Sequence, residues 1–353
     1  MDLKDLRKII DSIDNSVLKL FLRRAEIVKK INLVKEKKNL KIFSPEREAD
    51  ILKRLKAFNQ GALLDSDIEL IFKEIFSVFR ALKVEIRIAY LGPQGTFTHL
   101  AAVKKFGKKV KYINCYSISE VFNLVEKGEV DYGVVPVENS IEGVVNYTLD
   151  MFLESNLKIC AEIIMDIHHN LLSSHSENQI KRIYSNPQVF AQCRNWLIRH
   201  FPKAQLVPVV STAKAAVEVT KSRNNACIGS KILASLYNLQ VISFNIHDAP
   251  TNITRFLVVS KKDSSPSGED KTSILFSIKD TAGALYDSLY SFKKNNINLT
   301  KIESRPSKKK AWEYYFFVDF QGHRMDVNAE KSLKDLEKRC NFIKILGSYP
   351  KES

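Results

Sequence analysis

The chain has 353 residues, a formal net charge of +15, 44% hydrophobic and 27% charged residues. This length allows two or three domains with substantial cores, and the composition is ordinary for a soluble protein. The basic residues are mostly lysines spread over all segments, which favours a solvated surface over a nucleic-acid-binding one. No apolar run is long enough to cross a bilayer, and the N-terminus lacks the apolar core of a signal peptide, so we expect a cytoplasmic protein without nucleic-acid or membrane partners.

The cysteines indicate neither a disulfide framework nor a zinc site. There are five, an odd number, at scattered positions, and no CxxC or Cys/His cluster is present. We therefore predict no bound metal.

The first part of the chain is predicted to form three helices. An apolar stripe at steps of three and four residues runs from Leu3 to Val34 and indicates one helix of roughly 35 residues, about 50 Å long. A second helix begins at Ser44-Pro45, and a third covers about 64–82. Two short helices cannot cover the long stripe, so we expect an intertwined homodimer or a higher homo-oligomer.

One cation interrupts this stripe, because Arg24 stands where the series requires an apolar residue. Lys35 follows on nearly the same face, and Arg7 lies on an adjacent face. Three cations directed into one helical interface suit a dicarboxylate ligand. The alternative is a buried ion pair of Arg24, for example with Glu48.

This segment resembles the all-helical chorismate mutases, with Arg7, Asp14, Arg24, Lys35, Arg47 and Glu48 at the positions of that family's motif residues. The resemblance implies a domain over 1–84 in which Arg24 and the partner subunit's Arg7 bind the carboxylates of chorismate. Lys35 would approach the ether oxygen, and Arg47 and Glu48 would hold the ring hydroxyl side.

Three positions depart from the mutase pattern. Phe79 replaces a frequent serine, Ser44 a frequent aspartate, and Lys83 the Gln or Glu that commonly contacts the ether oxygen. Ser44 and Lys83 are still predicted to bind substrate, since a lysine can stabilise charge on the ether oxygen. The alternative is a weakened mutase.

After Lys83, strands alternate with helical stretches, which predicts a parallel-rich α/β sheet. Polar residues follow a buried strand within DYGVVPVENSIEGVV (131–145), and such strand ends are where open sheets place ligands. Together with LGPQGTF (91–97), YSNPQVFAQC (184–193), STA (211–213) and NITRF (252–256), this stretch resembles a prephenate dehydratase.

The dehydratase resemblance implies a two-lobed, periplasmic-binding-protein-like domain over 86–262. Its lobes would be about 86–160 with 245–262, and 161–244, with prephenate in the cleft between them. Implied catalytic residues are Glu138, Asn139, Ser185, Gln192 and Thr254, and implied substrate-binding residues are Thr96, Ser140, Ser211, Thr212 and Arg255.

Thr254 is expected to donate a hydrogen bond to the departing ring hydroxyl. Threonine is a weak acid, so we expect a coupled acid such as Glu138, or a water relay. Arg255 either holds a substrate carboxylate or forms a structural ion pair. His169 matches a recurring histidine of the family and is interpreted as structural. The chemistry requires no metal or organic cofactor.

The last segment follows a linker, SKKDSSPSGEDK (260–271), at which we expect the modules to be separable. Its predicted β-α-β-β-α-β order over 271–350 is the α+β ferredoxin-like arrangement. GALY (283–286) and ESRP (303–306) resemble motifs of the phenylalanine-binding ACT domain. Implied effector-binding residues are Gly283, Ala284, Leu285, Asn298, Glu303, Ser304, Arg305 and Pro306. The alternative is a dimer interface without ligand.

The whole chain thus resembles the bifunctional chorismate mutase/prephenate dehydratases, which convert chorismate to prephenate and prephenate to phenylpyruvate in phenylalanine biosynthesis. The resemblance implies feedback inhibition by L-phenylalanine. Two other functions stay open, namely a dehydratase with a weakened mutase and a non-catalytic two-lobed sensor of small molecules.

Overall fold

The computed structural model describes residues 2–38, 43–82, 85–175, 180–221, 224–307 and 314–352. The chain forms two compact units, one of residues 1–86 with 106–111 and one of residues 87–105 with 112–353. Within the described ranges, no helix has the length and apolar character needed to span a membrane.

The first unit contains the predicted helices. They are α1 (Leu3–Lys37), α2 (Pro45–Phe58) and α3 (Asp65–Arg80). A capping box between Asp2 and Asp5 begins α1, which runs for 35 residues as its stripe predicts. Pro45 begins α2, but the Ser44 hydroxyl donates to the Glu46 carboxylate instead of capping the helix.

The apolar stripe of α1 stays open to solvent in the single chain. Ile10, Leu20 and Val34 are 56%, 63% and 52% exposed, whereas Phe76 and Phe79 of α3 are buried. An amphipathic helix gains stability by burying such a stripe. A second copy of the chain remains the predicted cover.

The second unit begins with a sheet of strand order β2-β1-β3-β11-β5, to which β4 is attached through β3. Its strands are β1 (Arg87–Leu91), β2 (Lys111–Cys115), β3 (Tyr132–Asn139), β4 (Gly143–Val144), β5 (Lys158–Asp166) and β11 (Ile253–Ser260). The accompanying helices are α4 (Phe97–Phe106), α5 (Ile118–Lys127) and α6 (Asn146–Glu154).

A second sheet has the order β10-β6-β9-β7-β8. Its strands are β6 (Asn170–Ser173), β7 (Arg182–Ser185), β8 (Gln205–Pro208), β9 (Asn225–Gly229) and β10 (Gln240–Ser243). Its helices are α7 (Pro187–Gln192), α8 (Arg194–His200), α9 (Thr212–Thr220) and α10 (Ile232–Tyr237). Because β11 returns to the first sheet, the chain has two lobes, but the first extends further than expected, since residues 161–166 of β5 belong to its sheet.

The prediction of a parallel-rich sheet is wrong, because both sheets are mixed. The strand β1 is parallel to β3, and β7 is parallel to β8 and β9. However, β11 runs antiparallel to both β3 and β5, and β6 runs antiparallel to β9 and β10. The strand β11 lies between β3 and β5 and runs opposite to both. The sequence pattern predicts where strands occur but not the direction in which they pair.

The C-terminal part has the predicted β-α-β-β-α-β order. It comprises β12 (Asp270–Ile278), α11 (Ala284–Lys294), β13 (Leu299–Pro306), β14 (Tyr314–Gln321), α12 (Val327–Glu337) and β15 (Cys340–Pro350). The antiparallel sheet has the order β13-β14-β12-β15. Phe276, Phe292 and Phe320 are central to the core between this sheet and its helices.

The expected linker is not a free connection. Ser264 is buried and donates a hydrogen bond to the Cys160 carbonyl at 2.7 Å, and the strand β12 already begins at Asp270. On the sheet face opposite its helices, Phe317 and Tyr349 belong to the same hydrophobic cluster as Leu257 of the first lobe. The C-terminal sheet and the first lobe therefore share one core.

Candidate active sites

The helical unit has an open pocket of 370 Å³ that is lined by its three helices. Its lining includes Arg24, Asn32 and Lys35 from α1, Glu48 from α2 and Arg80 from α3. Arg24 and Lys35, two of the cations predicted from the stripe, thus face one space. Apolar residues such as Phe72 and Phe76 complete the walls.

Arg24 has the properties of a residue that binds an anion. Its Nη1 atom is buried and has no hydrogen-bond partner in the described part of the chain, and the same holds for Asn32 Nδ2. The guanidinium lies 4.3 Å from the centroid of the Phe79 ring. Burial lowers the pKa values of both Arg24 and Lys35. Because a buried donor without a partner costs free energy, an anion in the cavity would be stabilised by these groups.

The buried ion pair considered for Arg24 is formed by a different arginine. Glu48 pairs with Arg80, whose side chain is 8% exposed. Sequence reasoning missed Arg80, although it follows Phe72 and Phe76 at steps of four along the apolar face of α3. Glu48 still raises the pKa of Arg24 electrostatically, against the larger lowering by burial, so the role of Arg24 as a carboxylate ligand stays a prediction.

The remaining mutase predictions fall in different places. Arg47 and Ser44 line the cavity, and the Arg47 guanidinium pairs with Asp50 at the surface. Arg7 is exposed on α1, so its predicted role depends on a second subunit. Lys83 lies outside the described residues.

In the two-lobed part, Thr254 and Asn139 meet as cross-strand neighbours. They pair in the register of β11 and β3, and Asn139 Nδ2 donates to Thr254 Oγ1 at 2.8 Å. Asn139 Nδ2 also donates to Asn252 Oδ1 at 2.7 Å. Thr254 and Asn252 are 9% and 3% exposed. The two predicted residues are therefore joined by a third, Asn252, that was missed despite belonging to the NITRF motif.

Gln192 links this group to the second lobe. Its Oε1 accepts from Asn252 Nδ2 at 3.0 Å and lies 2.7 Å from His169 Nε2. Its Nε2 donates to Glu142 Oε1 at 2.9 Å. Asn139, Gln192 and Thr254 are thus brought together at the boundary of the lobes. His169 and Glu142, two residues outside the predicted set, complete the network.

Glu138 does not face this network. Side chains of successive strand residues point to opposite faces of a sheet, so Glu138 and its cross-strand neighbour Arg255 share the other face. The Glu138 carboxylate lies 2.6 Å from Lys301 Nζ of the C-terminal sheet. The expectation that Glu138 acts as an acid coupled to Thr254 is therefore wrong for this arrangement.

Arg255 forms the structural ion pair that the sequence left open. Its Nε bonds Glu162 at 2.8 Å, its Nη1 bonds Asp319 at 2.5 Å, and its Nη2 donates to the Tyr349 hydroxyl at 2.9 Å. Lys271 adds a second cation, 2.8 Å from Glu162. These partners occupy the guanidinium, so the prediction of Arg255 as a substrate ligand is corrected.

The other predicted dehydratase residues shape loops and helix ends. The hydroxyl of Ser185 is fully buried and donates to the Ile228 carbonyl at 2.9 Å, which removes it from direct contact with substrate. Thr96 bonds the Leu91 and Pro93 carbonyls of its own turn. The hydroxyl oxygens of Ser140 and Ser211 accept hydrogen bonds from the backbone N–H groups of Ile253 and Lys214. Thr212 is a buried residue at the start of α9.

The predicted effector residues lie on three elements of the C-terminal part. Gly283, with φ of 83°, precedes α11, whose first turn contains Ala284 and Leu285. Asn298 lines a cavity of 570 Å³ with Gln321. On β13, Ser304 and Pro306 are exposed and Glu303 is half-buried. Arg305 pairs with Asp150 of α6 at 3.1 Å and so faces the first lobe.

Comparison with known proteins gives a family for each of the two parts of the chain. The profile of chorismate mutase type II matches residues 6–84, and that of prephenate dehydratase matches residues 88–264. The bifunctional chorismate mutase/prephenate dehydratase of Aquifex aeolicus (strain VF5) is 48% identical over 355 residues, covering 99% of this chain and 98% of that protein. A protein of the same name from Pseudomonas aeruginosa is 43% identical over 356 residues, 99% of this chain and 98% of its own length.

A solved structure extends the similarity to the fold. The prephenate dehydratase from Arthrobacter aurescens, in complex with L-Phe, superposes with a TM-score of 0.70 at 33% identity and covers 75% of this chain and 90% of its own. The fold and sites define a two-site protein with a helical mutase-type unit and a two-lobed dehydratase-type unit. The chain belongs to the family of bifunctional chorismate mutase/prephenate dehydratases.

Proposed function

We propose that the chain catalyses both reactions of its family, the rearrangement of chorismate to prephenate and the conversion of prephenate to phenylpyruvate. The observation that carries this proposal is the presence of two separate polar sites, each built from the motif residues of one activity. The first contains Arg24, whose buried Nη1 has no partner among the described residues, and the second contains Thr254 in a network across two lobes.

In the helical cavity, the reaction is a Claisen rearrangement and needs neither a nucleophile nor a proton transfer. It needs a compact substrate conformer and positive charge where the breaking C–O bond becomes negative. Arg24 and Asn32 offer donors for a carboxylate, and Lys35 offers a cation for the ether oxygen. Glu48, which is ion-paired with Arg80, lines the same cavity and would face the ring hydroxyl side of chorismate.

In the dehydratase site, the ring loses its carboxylate as CO₂ and the electron pair of that C–C bond enters the ring. The ring C–O bond breaks, and the departing oxygen keeps its electron pair and takes a proton, giving water and an aromatic ring. Thr254 donates a hydrogen bond to this oxygen, and the net proton comes from solvent water. A water relay takes the place of Glu138, which faces the other side of the sheet.

The direct test mixes purified full-length protein with chorismate and follows chorismate, prephenate and phenylpyruvate over time. Consumption of chorismate with formation of phenylpyruvate is the expected result. Turnover of supplied prephenate without turnover of chorismate supports the dehydratase with a weakened mutase. Binding without turnover of either compound supports the sensor.

The C-terminal part is proposed to be an ACT domain that binds L-phenylalanine and inhibits the dehydratase. The proposal is supported by the strand and helix order, by Gly283 at the start of α11, and by the L-Phe complex of the similar dehydratase. Calorimetry should show tighter binding of phenylalanine than of tyrosine, because a buried phenol hydroxyl would lack a partner. Absence of phenylalanine binding to the intact protein would refute it.

The homodimer or higher homo-oligomer is proposed from the uncovered stripe of α1. Light scattering of the purified protein measures the mass directly, and a monomer at micromolar concentration would contradict the proposal. The cytoplasmic location stays a prediction.

A further inference from the structure

In the hydrogen-bond network around Thr254, each side-chain amide has one possible orientation of its oxygen and nitrogen, and Asn139 determines that orientation for the others. Asn139 Oδ1 accepts hydrogen bonds from the backbone N–H groups of Ile141 and Glu142, both at 2.9 Å. A backbone N–H can only donate, so this atom must be the amide oxygen. The amide nitrogen of Asn139 therefore faces Asn252 and Thr254.

The direction passes from Asn139 to the next two amides. Asn139 Nδ2 donates to Asn252 Oδ1, so the other end of Asn252 is its nitrogen, which donates to Gln192 Oε1. The nitrogen of Gln192 then faces the Glu142 carboxylate, which can only accept when ionised. Reversing either amide would place two donors or two acceptors against each other.

His169 supplies the second donor to Gln192. Its Nε2 lies 2.7 Å from Gln192 Oε1, an acceptor, so Nε2 carries the ring proton. The side chain is 1% exposed, and Nδ1 is buried with no hydrogen-bond partner among the residues that the structure describes. The Phe97 ring packs on the imidazole edge-on, with centroids 5.5 Å apart. The geometry thus fixes one tautomer of a neutral imidazole.

The consequence concerns the proton of Thr254. Because Thr254 Oγ1 accepts from Asn139, its own proton points elsewhere, and within the described ranges it has no acceptor. We propose that Asn252 and His169 are positioning residues of the dehydratase reaction: both hold Gln192 in one orientation, and Asn252 binds the nitrogen of Asn139 that donates to Thr254, so that the Thr254 O–H stays free for the departing hydroxyl. This inference rests on the dehydratase function proposed for Thr254.

The test uses full-length variants and prephenate as substrate. Asn252→Asp has nearly the same shape, and its carboxylate accepts from Asn139 but cannot donate to Gln192. We expect kcat to fall by about tenfold or more while KM changes by less than about threefold. In a Thr254→Ala background the same change should alter kcat by less than about twofold, because both act on one interaction.

His169 is tested by a pair of variants. His169→Leu removes the donor, and kcat should fall by about tenfold. His169→Gln keeps an N–H near the position of Nε2, and kcat should return to within about threefold of the unsubstituted protein. The midpoint of thermal unfolding of the two-lobed part serves as the folding control for every variant, and chorismate turnover by the helical unit calibrates the amount of active protein.

Asn225→Asp is the matched control for Asn252→Asp. Asn225 is 1% exposed in the second lobe, and its Oδ1 accepts from Arg182 Nε at 3.2 Å, which a carboxylate also does. Its kcat should stay within about twofold. A loss as large as that of Asn252→Asp would show a general effect of a buried carboxylate and overturn the inference.

The remaining outcomes separate the inference from the function on which it rests. If Thr254→Ala converts prephenate at an unchanged rate, Thr254 is not a catalytic residue and the proposed dehydratase site is wrong. If Thr254→Ala is inactive while Asn252→Asp and His169→Leu keep the full rate, only the positioning roles fall. Equal losses in His169→Gln and His169→Leu overturn the donor role of His169.

Discussion

At the residue scale, burial decides what a charged or polar side chain can do. Arg24 is a cation on an apolar face whose Nη1 has no protein partner in the described part of the chain. Arg255, in contrast, bonds Glu162, Asp319 and Tyr349 and also lies 3.9 Å from Glu138. Arg24 can therefore bind an anion from outside the protein, whereas the charge of Arg255 is already compensated by protein carboxylates. This contrast leads to opposite predictions for the two arginines.

Arg24→Ala should abolish chorismate turnover, with a loss of roughly a hundredfold or more, because a carboxylate then lacks its charged partner. Prephenate turnover should stay nearly unchanged, since the two sites lie in different units. Steady-state assays with each substrate measure both rates. Arg23→Ala, at the neighbouring exposed position, is the matched control. Mutase activity within a few-fold of the unsubstituted protein would show that Arg24 binds no carboxylate.

Thr254→Ala removes one hydroxyl and little volume. A transition-state hydrogen bond in a water-poor site contributes about 3 kcal/mol, so prephenate decay should slow about a hundredfold. Chorismate turnover should be retained. Thr251→Ala, at an exposed position of the same segment, should keep both rates. Normal decay of prephenate in the Thr254 variant would make this residue an ordinary strand position.

His169 predicts a pH dependence of stability. Burial lowers its pKa to about 4, while an unfolded histidine has a pKa of about 6.5. Between these values the unfolded chain binds a proton that the folded protein does not, so the free energy of unfolding falls as pH falls from about 6.5 to about 4. Over that range the loss is about 3 kcal/mol.

Denaturant unfolding of the two-lobed part at several pH values measures this effect. His169→Gln should show a smaller loss between pH ~7 and pH ~4.5. His247 and His168 lie close to the imidazole, and burial also lowers the pKa of His247. Their contribution is shared by both proteins and cancels in the comparison. An identical pH dependence in the variant would show that His169 is not buried as a neutral group.

At the element scale, the two faces of the strand β11 carry residues with different roles, one in the candidate active site and one in structural ion pairs. Alternation along β11 directs Thr254 toward the network of the two lobes and Arg255 toward the C-terminal sheet. The same alternation on β3 separates Asn139 from Glu138. A contiguous motif therefore contributes to two different sites, and adjacency in sequence does not mean a shared role.

Arg255→Met tests this separation. The substitution leaves Glu162, which is fully buried, with one cation fewer and Asp319 without its closest partner, so it should destabilise the two-lobed part by about 3–5 kcal/mol. Thermal unfolding should show a clear drop in midpoint. Lys338→Met, at an exposed lysine directly after α12, should leave the midpoint unchanged. If the midpoint stays while KM for prephenate rises, Arg255 binds substrate after all.

At the scale of the whole molecule, the C-terminal sheet is part of the dehydratase core. Phe317, Leu346 and Tyr349 pack in one cluster with Ile159 and Leu257, and ion pairs join Glu138 to Lys301 and Asp150 to Arg305. An effector bound to the C-terminal sheet would therefore act on a surface already fused to the first lobe. Phenylalanine would need to change only this packing to reach the network of Thr254.

A truncated protein ending at Ser264 is expected to lose stability as well as inhibition, contrary to the separable modules predicted from the linker. The truncation exposes the shared core and strips Arg255 and Glu162 of partners. Limited proteolysis and prephenate turnover should both show damage, while chorismate turnover persists. A soluble truncated protein with full dehydratase activity would refute the shared core.

Sequence patterns alone predict the helices and strands and the order of a helical unit before an α/β part, and they propose Arg24, Asn139, Gln192 and Thr254 as site residues, because periodicity and local motifs are properties of short segments. They could also have identified the opposite faces of Thr254 and Arg255, since alternation is local. The folded structure was needed to show that β11 lies between β3 and β5, that Arg80 pairs with Glu48, and that Asn252 and His169 complete the network. Those outcomes depend on contacts between residues far apart in the chain, which no local pattern specifies.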